Sequence, residues 1–120
     1  MQKIENNKLS INEYQQEALR TARLDKFNRI EQITNGVLGM NGEAGECADL
    51  VKKHLFQGHD LDEMHLLKEL GDVAWYLAVT AWTLGYDLET VLQMNVEKLR
   101  ERYPNGFSEE RSTHRETGDI

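Results

Sequence analysis

Two pairs of acids could do chemistry together: Glu43 with Glu46, and Glu69 with Asp72. Three residues apart on a helix, two carboxylates share a face and repel by a few tenths of a kcal/mol, more if buried; a hard divalent cation removes that cost. The number of such pairs is no argument, because with 21 acids in 120 residues chance places about 3.6 of them at this spacing, and the chain has five. Their position is one. At about 100° per residue, Glu43 points between Cys47 and Leu50, and Glu69 between Tyr76 and Val73, so both flank apolar stripes where a merely solvated acid would lie opposite. An all-oxygen donor set suits Mg²⁺, with Mn²⁺ as a substitute. A di-iron bundle would ask for Glu-x-x-His, and no Glu here has His three residues later.

The first pair lies in "NGVLGMNGEAGECADL", with glycine at 36, 39, 42 and 45. In a loop these glycines would suggest a phosphate cradle; inside a helix each costs roughly 1 kcal/mol against alanine and needs a reason. Ile33, Val37, Met40, Ala44, Cys47, Val51 and Leu55 recur at spacings of three and four straight through them, a period that a loop would break. The glycines are therefore expected within a helix over about 30–56. Gly42, Gly45 and Gly71, beside the acids, would leave room for a phosphate or a neighbouring backbone; the plainer reading is close helix crossing.

The remaining elements also read as helices, and nothing alternates with the period of a strand. A first helix runs over about 10–22 from a capping box of Ser10 and Glu13. A third starts at Asp60 with Glu63 and runs to about 84, with Leu66, Leu70, Val73, Leu77, Ala81 and Leu84 inward. A fourth runs from an Asp87 cap to about 102, bearing Leu88, Val91, Leu92, Val96 and Leu99, and is stopped by Pro104. Gly58 and Gly85 end the second and third. The short connection at 58–61 makes the second and third helices antiparallel neighbours, so the four acids can meet across one seam. The fold class is all-α, an antiparallel four-helix arrangement in one domain over 1–107, with 108–120 a disordered polar tail. Leu38, Leu50 and Trp82 lie off the stripes and call for a second surface.

Bulk properties narrow the function. A net charge of −7 repels polyanions and argues against nucleic acid as a partner. No apolar run approaches the roughly 18 residues of a membrane helix, Cys47 has no partner for a disulfide, and "MQKIENNKLS" lacks the apolar core of a secretory leader, so a cytoplasmic setting is expected. An acidic protein can still hold a small phosphate ligand if a cation lies between.

"GEAGECADLVKK", "ELGDVAWYL" with 22 residues between Glu46 and Glu69, and "NVEKLRERYPNGF" together resemble the MazG-like members of the all-α nucleoside triphosphate pyrophosphohydrolases, over about 33–107. The resemblance implies Mg²⁺ held by Glu43, Glu46, Glu69 and Asp72. It also implies hydrolysis of a (deoxy)nucleoside triphosphate to monophosphate and pyrophosphate, and assembly as a homodimer or homotetramer. Glu46, with Glu43 beside it, would serve the attacking water. Asn95, Lys98 and Arg102 match the family's phosphate-side groups, against the plain reading of an ordinary polar helix face. Lys53, like Lys52, would touch phosphate or simply favour a helix C-terminus.

Tyr76, one turn after Asp72, is the best candidate among Trp75, Tyr76 and Trp82 to stack on a base, although aromatics at helical spacing more often fill core. His54, His59 and His65 have no zinc spacing and read as surface or loop residues. Two alternatives stay open: a dUTP- or dCTP-selective enzyme of the same superfamily, and a non-catalytic helical module that binds nucleotide or protein.

Overall fold

The computed structural model describes residues 8–120; residues 1–7, part of the stretch read for a leader, lie outside the described residues. The chain is all-α, with no strand among the described residues: α1 (Ile11–Leu19), a single 3₁₀ turn (Leu24–Lys26), α2 (Arg29–Phe56), α3 (Glu63–Thr83), α4 (Leu88–Arg102) and α5 (Glu109–Thr113). It divides into two compact units, one up to Leu88 and one over Glu89–Ile120, a boundary inside the span read from sequence as one domain.

Local chemistry sets the ends of the elements. The Ser10 hydroxyl accepts from the Glu13 amide at 3.1 Å, the first half of the expected box. α1 stops at Leu19 rather than near Ala22, because the amides of Arg20, Thr21 and Ala22 bond three residues back and tighten the chain out of the α-helix. Asn28 and Glu31 form a complete capping box on α2. On α3 the cap is Asp62, whose Oδ1 accepts from the His65 amide at 2.9 Å, and not Asp60. Gly85, at φ 91°, closes α3 in a Schellman motif, with Gly85 N–H bonding to Trp82 O and Tyr86 N–H to Ala81 O. Gly58, at φ 73°, follows α2.

α2 passes unbroken through all four glycines, and α2 and α3 pack along most of their length. Only two of the glycines serve that packing. A Cβ on Gly36 would collide with Thr80 Oγ1, and one on Gly39 with the Tyr76 ring, whereas nothing lies within 4 Å of a Cβ on Gly42, Gly45 or Gly71. Gly36 meets Thr80 and Gly39 meets Tyr76, so residue numbers fall on α3 as they rise on α2, and the helices are antiparallel as expected.

The core of the first unit is Ala18, Ala78, Val79 and Leu88, with Tyr14, Leu19, Ala22, Leu24, Trp75 and Leu77 packed on it. Gln15, 1% exposed, ties it together. Its amide donates to Ala78 O at 3.0 Å and to Tyr86 O at 3.2 Å, and its Oε1 accepts from the Leu88 amide at 3.0 Å. A buried amide with both ends satisfied fixes one register between α1 and the end of α3, and an apolar residue there would orphan the Leu88 N–H.

The stripes expected to face inward are covered only in part. Val37, Val51 and Leu55 on α2, Leu70 on α3 and Leu84 at its C-cap, and Leu92, Val96 and Leu99 on α4 are exposed. Periodicity marks which side of a helix is apolar; whether one chain has enough helices to cover that side is a matter of area, which periodicity does not carry.

The second unit also departs from expectation. Instead of a disordered tail, 108–120 carries α5, whose Ser108 cap accepts from the Arg111 amide. Arg102 grips Asp119 through Nε and Nη2 at 2.7 and 2.5 Å. The guanidinium also holds the Asp119 carboxyl below its ordinary range. A two-pronged ion pair of this kind anchors a polar segment without apolar burial.

Candidate active site

One turn beyond the Gly39–Tyr76 contact, the same seam brings together Glu43 from α2 and Glu69 and Asp72 from α3, with one carboxylate oxygen from each lying within 4.8 Å of the other two. The close approach at Gly36 and Gly39 is what carries the acids across the gap, because side chains one turn along an antiparallel pair inherit its separation. The neighbouring Glu69 carboxylate, which can accept a hydrogen bond from Glu43 only when Glu43 is protonated, is the main reason that the Glu43 carboxyl is pushed above its ordinary value; partial burial and the charges of Glu69, Asp72 and Glu46 push the same way. Asp72 in turn helps raise the Tyr14 phenol of α1, after burial. Like charges converge here, with no lysine or arginine in the cluster, and its three members all offer carboxylate oxygens. This set fits a hard divalent cation.

Of the four acids read from sequence, the structure clusters three. Glu46 is exposed on α2 one turn further on, close enough for its charge to be felt at Glu43 but outside the cluster. Lys53 is held at 2.6 Å by Asp49, one turn back on its own helix, with Lys52 on the other oxygen at 3.3 Å. The pair raises the Lys53 ammonium and lowers the Asp49 carboxyl. Tyr76 lies over Gly39 with its ring edge-on to Trp75, centroids 4.9 Å apart. Trp75 is committed to α1, its indole N–H donating to Thr21 Oγ1 at 2.8 Å and Ala18 O at 3.1 Å, and it lines a cavity of about 200 Å³ with Phe27, Leu24 and Asn35.

In the second unit, Asn95 and Lys98 are exposed on α4. Lys98 and the paired Arg102 line a cavity of about 310 Å³ together with Arg111, Arg115 and Glu116. One residue at the acids was missed: His65 Nε2 lies 2.9 Å from Glu69 Oε1. The signal is in the sequence, since residues four apart on a helix are neighbours, but zinc spacing alone does not reveal it.

The MazG nucleotide pyrophosphohydrolase domain model matches residues 32–107, a span that contains the glycine seam and all four acids. The chain belongs to the MazG nucleotide pyrophosphohydrolase family. The MazG match ends at Phe107, so α5 and Asp119 lie beyond it. This MazG chain is also similar to the Gene 37 protein of Mycobacterium phage L5, with 42% identity over 84 residues that cover 64% of this chain and 71% of that protein. No solved structure matches. No helix among the described residues is long and apolar enough to cross a membrane.

Proposed function

We propose that this MazG chain hydrolyses (deoxy)nucleoside triphosphates to the monophosphate and pyrophosphate, using a divalent cation, Mg²⁺ with Mn²⁺ as substitute, held by Glu43, Glu69 and Asp72 with Glu46 beside them. The observation that carries the reading is the convergence of three carboxylates from α2 and α3 inside the span that matches a nucleotide pyrophosphohydrolase domain. Such a cation would supply neutralising charge for the triphosphate and for the pyrophosphate as it leaves.

The chain's own residues do the rest. Water oxygen bonds to the α-phosphorus, the bond from that phosphorus to the bridging oxygen breaks, and pyrophosphate takes the electron pair. Glu46, solvent-facing and one turn from Glu43, takes up the proton that the water loses. Gly42, Gly45 and Gly71 keep the space around the acids open. Asn95 and Lys98 are the candidates of α4 for phosphate oxygens. Lys53 can reach a phosphate only by giving up Asp49, and Arg102 only by giving up Asp119; Tyr76 is the candidate to stack on the base.

The active form is a homodimer or homotetramer. Leu38, 65% exposed, and Trp82, 45% exposed, together with the uncovered stripes of α2 and α3, favour a second copy over water. Light scattering at micromolar concentration that finds only monomer would contradict the assembly. The reaction is tested by pyrophosphate release from the eight common nucleoside triphosphates with and without Mg²⁺, for wild type and Glu69→Gln. Release that needs both Mg²⁺ and Glu69 is expected; nucleotide binding without turnover would favour the non-catalytic module.

A further inference from the structure

Glu69 is the hub of the acid cluster, touched by Glu43 from α2 and by His65 from its own helix. Its side chain is only 15% exposed, whereas that of His65 is 50% exposed. His65 is therefore not kept in place by burial. Its backbone is fixed instead: the Asp62 cap accepts from the His65 amide at 2.9 Å and sets the first turn of α3. The imidazole, four residues before Glu69, thus stands on the same face with its Nε2 aimed at Oε1.

A glutamate has three side-chain torsions, and one that ligates a cation from solvent must be ordered each time it does so. A hydrogen-bond donor on one carboxylate oxygen removes part of that freedom beforehand. Partners of this outer kind, on ligating carboxylates as on ligating histidines, typically contribute 10- to 100-fold to cation affinity.

We propose that His65 is a positioning residue for the cation site, donating from Nε2 to Glu69 Oε1 and so holding the Glu69 carboxylate in the orientation that ligates the ion. The inference rests on the cation site described under the proposed function. It assigns a role to a side chain that touches neither the cation nor the substrate.

The test is a titration of the metal-free protein with Mn²⁺, without nucleotide, with free Mn²⁺ followed by its electron paramagnetic resonance signal. Wild type, His65→Ala, His65→Gln and Glu69→Gln are compared. Glutamine is the informative variant, since its side-chain amide can donate from about the place of Nε2. His65→Ala should bind Mn²⁺ about 10- to 100-fold more weakly. His65→Gln should recover most of the loss, and both should melt like wild type when metal-free. Unchanged affinity in His65→Ala overturns the proposal, and so does an equal loss in the alanine and glutamine variants, because the donor is then not the cause. Failure of wild type itself to bind, or wild-type affinity in Glu69→Gln, would instead bring down the cation site on which the proposal stands.

Discussion

Gly39→Ala and Gly42→Ala should change stability in opposite directions, although both replace a mid-helix glycine three residues apart on α2. On an open helix face, alanine gains about 1 kcal/mol over glycine. Nothing lies within 4 Å of a Cβ at Gly42, so the gain should be realised there. At Gly39 the new methyl would run into Cδ1, Cε1 and Cζ of Tyr76. That ring cannot swing aside freely, being edge-on to Trp75, whose N–H is bound to Ala18 of α1 and to Thr21 just beyond it. Overpacking against such a wall costs about 1–3 kcal/mol, and after the helix gain a net loss of about 1–2 kcal/mol remains at the upper end of that range. At about 4 °C per kcal/mol for a chain of this length, Gly39→Ala should melt about 4–8 °C below wild type and Gly42→Ala about 4 °C above it. The measurement is thermal unfolding of the metal-free protein at one fixed concentration. Because Glu43 lies one turn along the same seam, Gly39→Ala should also weaken Mn²⁺ binding, while Gly42→Ala should not. A Gly39→Ala protein as stable as wild type, or a Gly42→Ala protein less stable, would refute the assignment of the close approach to Gly36 and Gly39.

Glu43→Gln should leave the metal-free protein folded and at least as stable as wild type at pH 7. Its carboxyl is held above the ordinary value chiefly by Glu69, so the charged form is disfavoured there and an amide relieves the strain. Turnover should nevertheless fall by orders of magnitude, as seen in pyrophosphate release. The Asp119 carboxyl is depressed by Arg102, so its contribution is complete above the ordinary aspartate value near 3.9 and is lost as pH falls through the lower folded value. Amide-exchange protection of α5 should therefore hold from pH 7 to pH 5 and collapse only below about pH 4, whereas Asp119→Asn should lose it already at pH 7.

Helix positions were legible because apolar period, caps and glycine stops are all local signals. The path of α2 through four glycines is the clearest case: Val37, Met40, Ala44 and Cys47 keep helical spacing across them, and the structure keeps the helix. Which glycine meets a neighbour was not legible. Gly36, Gly39, Gly42 and Gly45 are the same residue at the same spacing, and only the register of α3, set by Thr80 and Tyr76, separates the two that pack from the two that face open space. The acids were legible as a group because they flank apolar stripes, but helical angle alone did not set Glu46 apart from the other three. Asp60 and Asp62 both precede α3 with acceptor side chains, and the path of the connection decided between them. In the tail, Arg102 pairs with Asp119 seventeen residues on and accepts from Arg111 Nε through its carbonyl, contacts that no local pattern announces.

The central claim is attack at the α-phosphorus under the control of the acid cluster. It is tested most directly by turnover of a nucleoside triphosphate in ¹⁸O-labelled water with Mg²⁺, with products resolved by ³¹P NMR and mass spectrometry. The expected result is unlabelled pyrophosphate and a monophosphate carrying one ¹⁸O, with no turnover when the metal is removed. Diphosphate with labelled orthophosphate would place the attack at the γ-phosphorus and contradict the account.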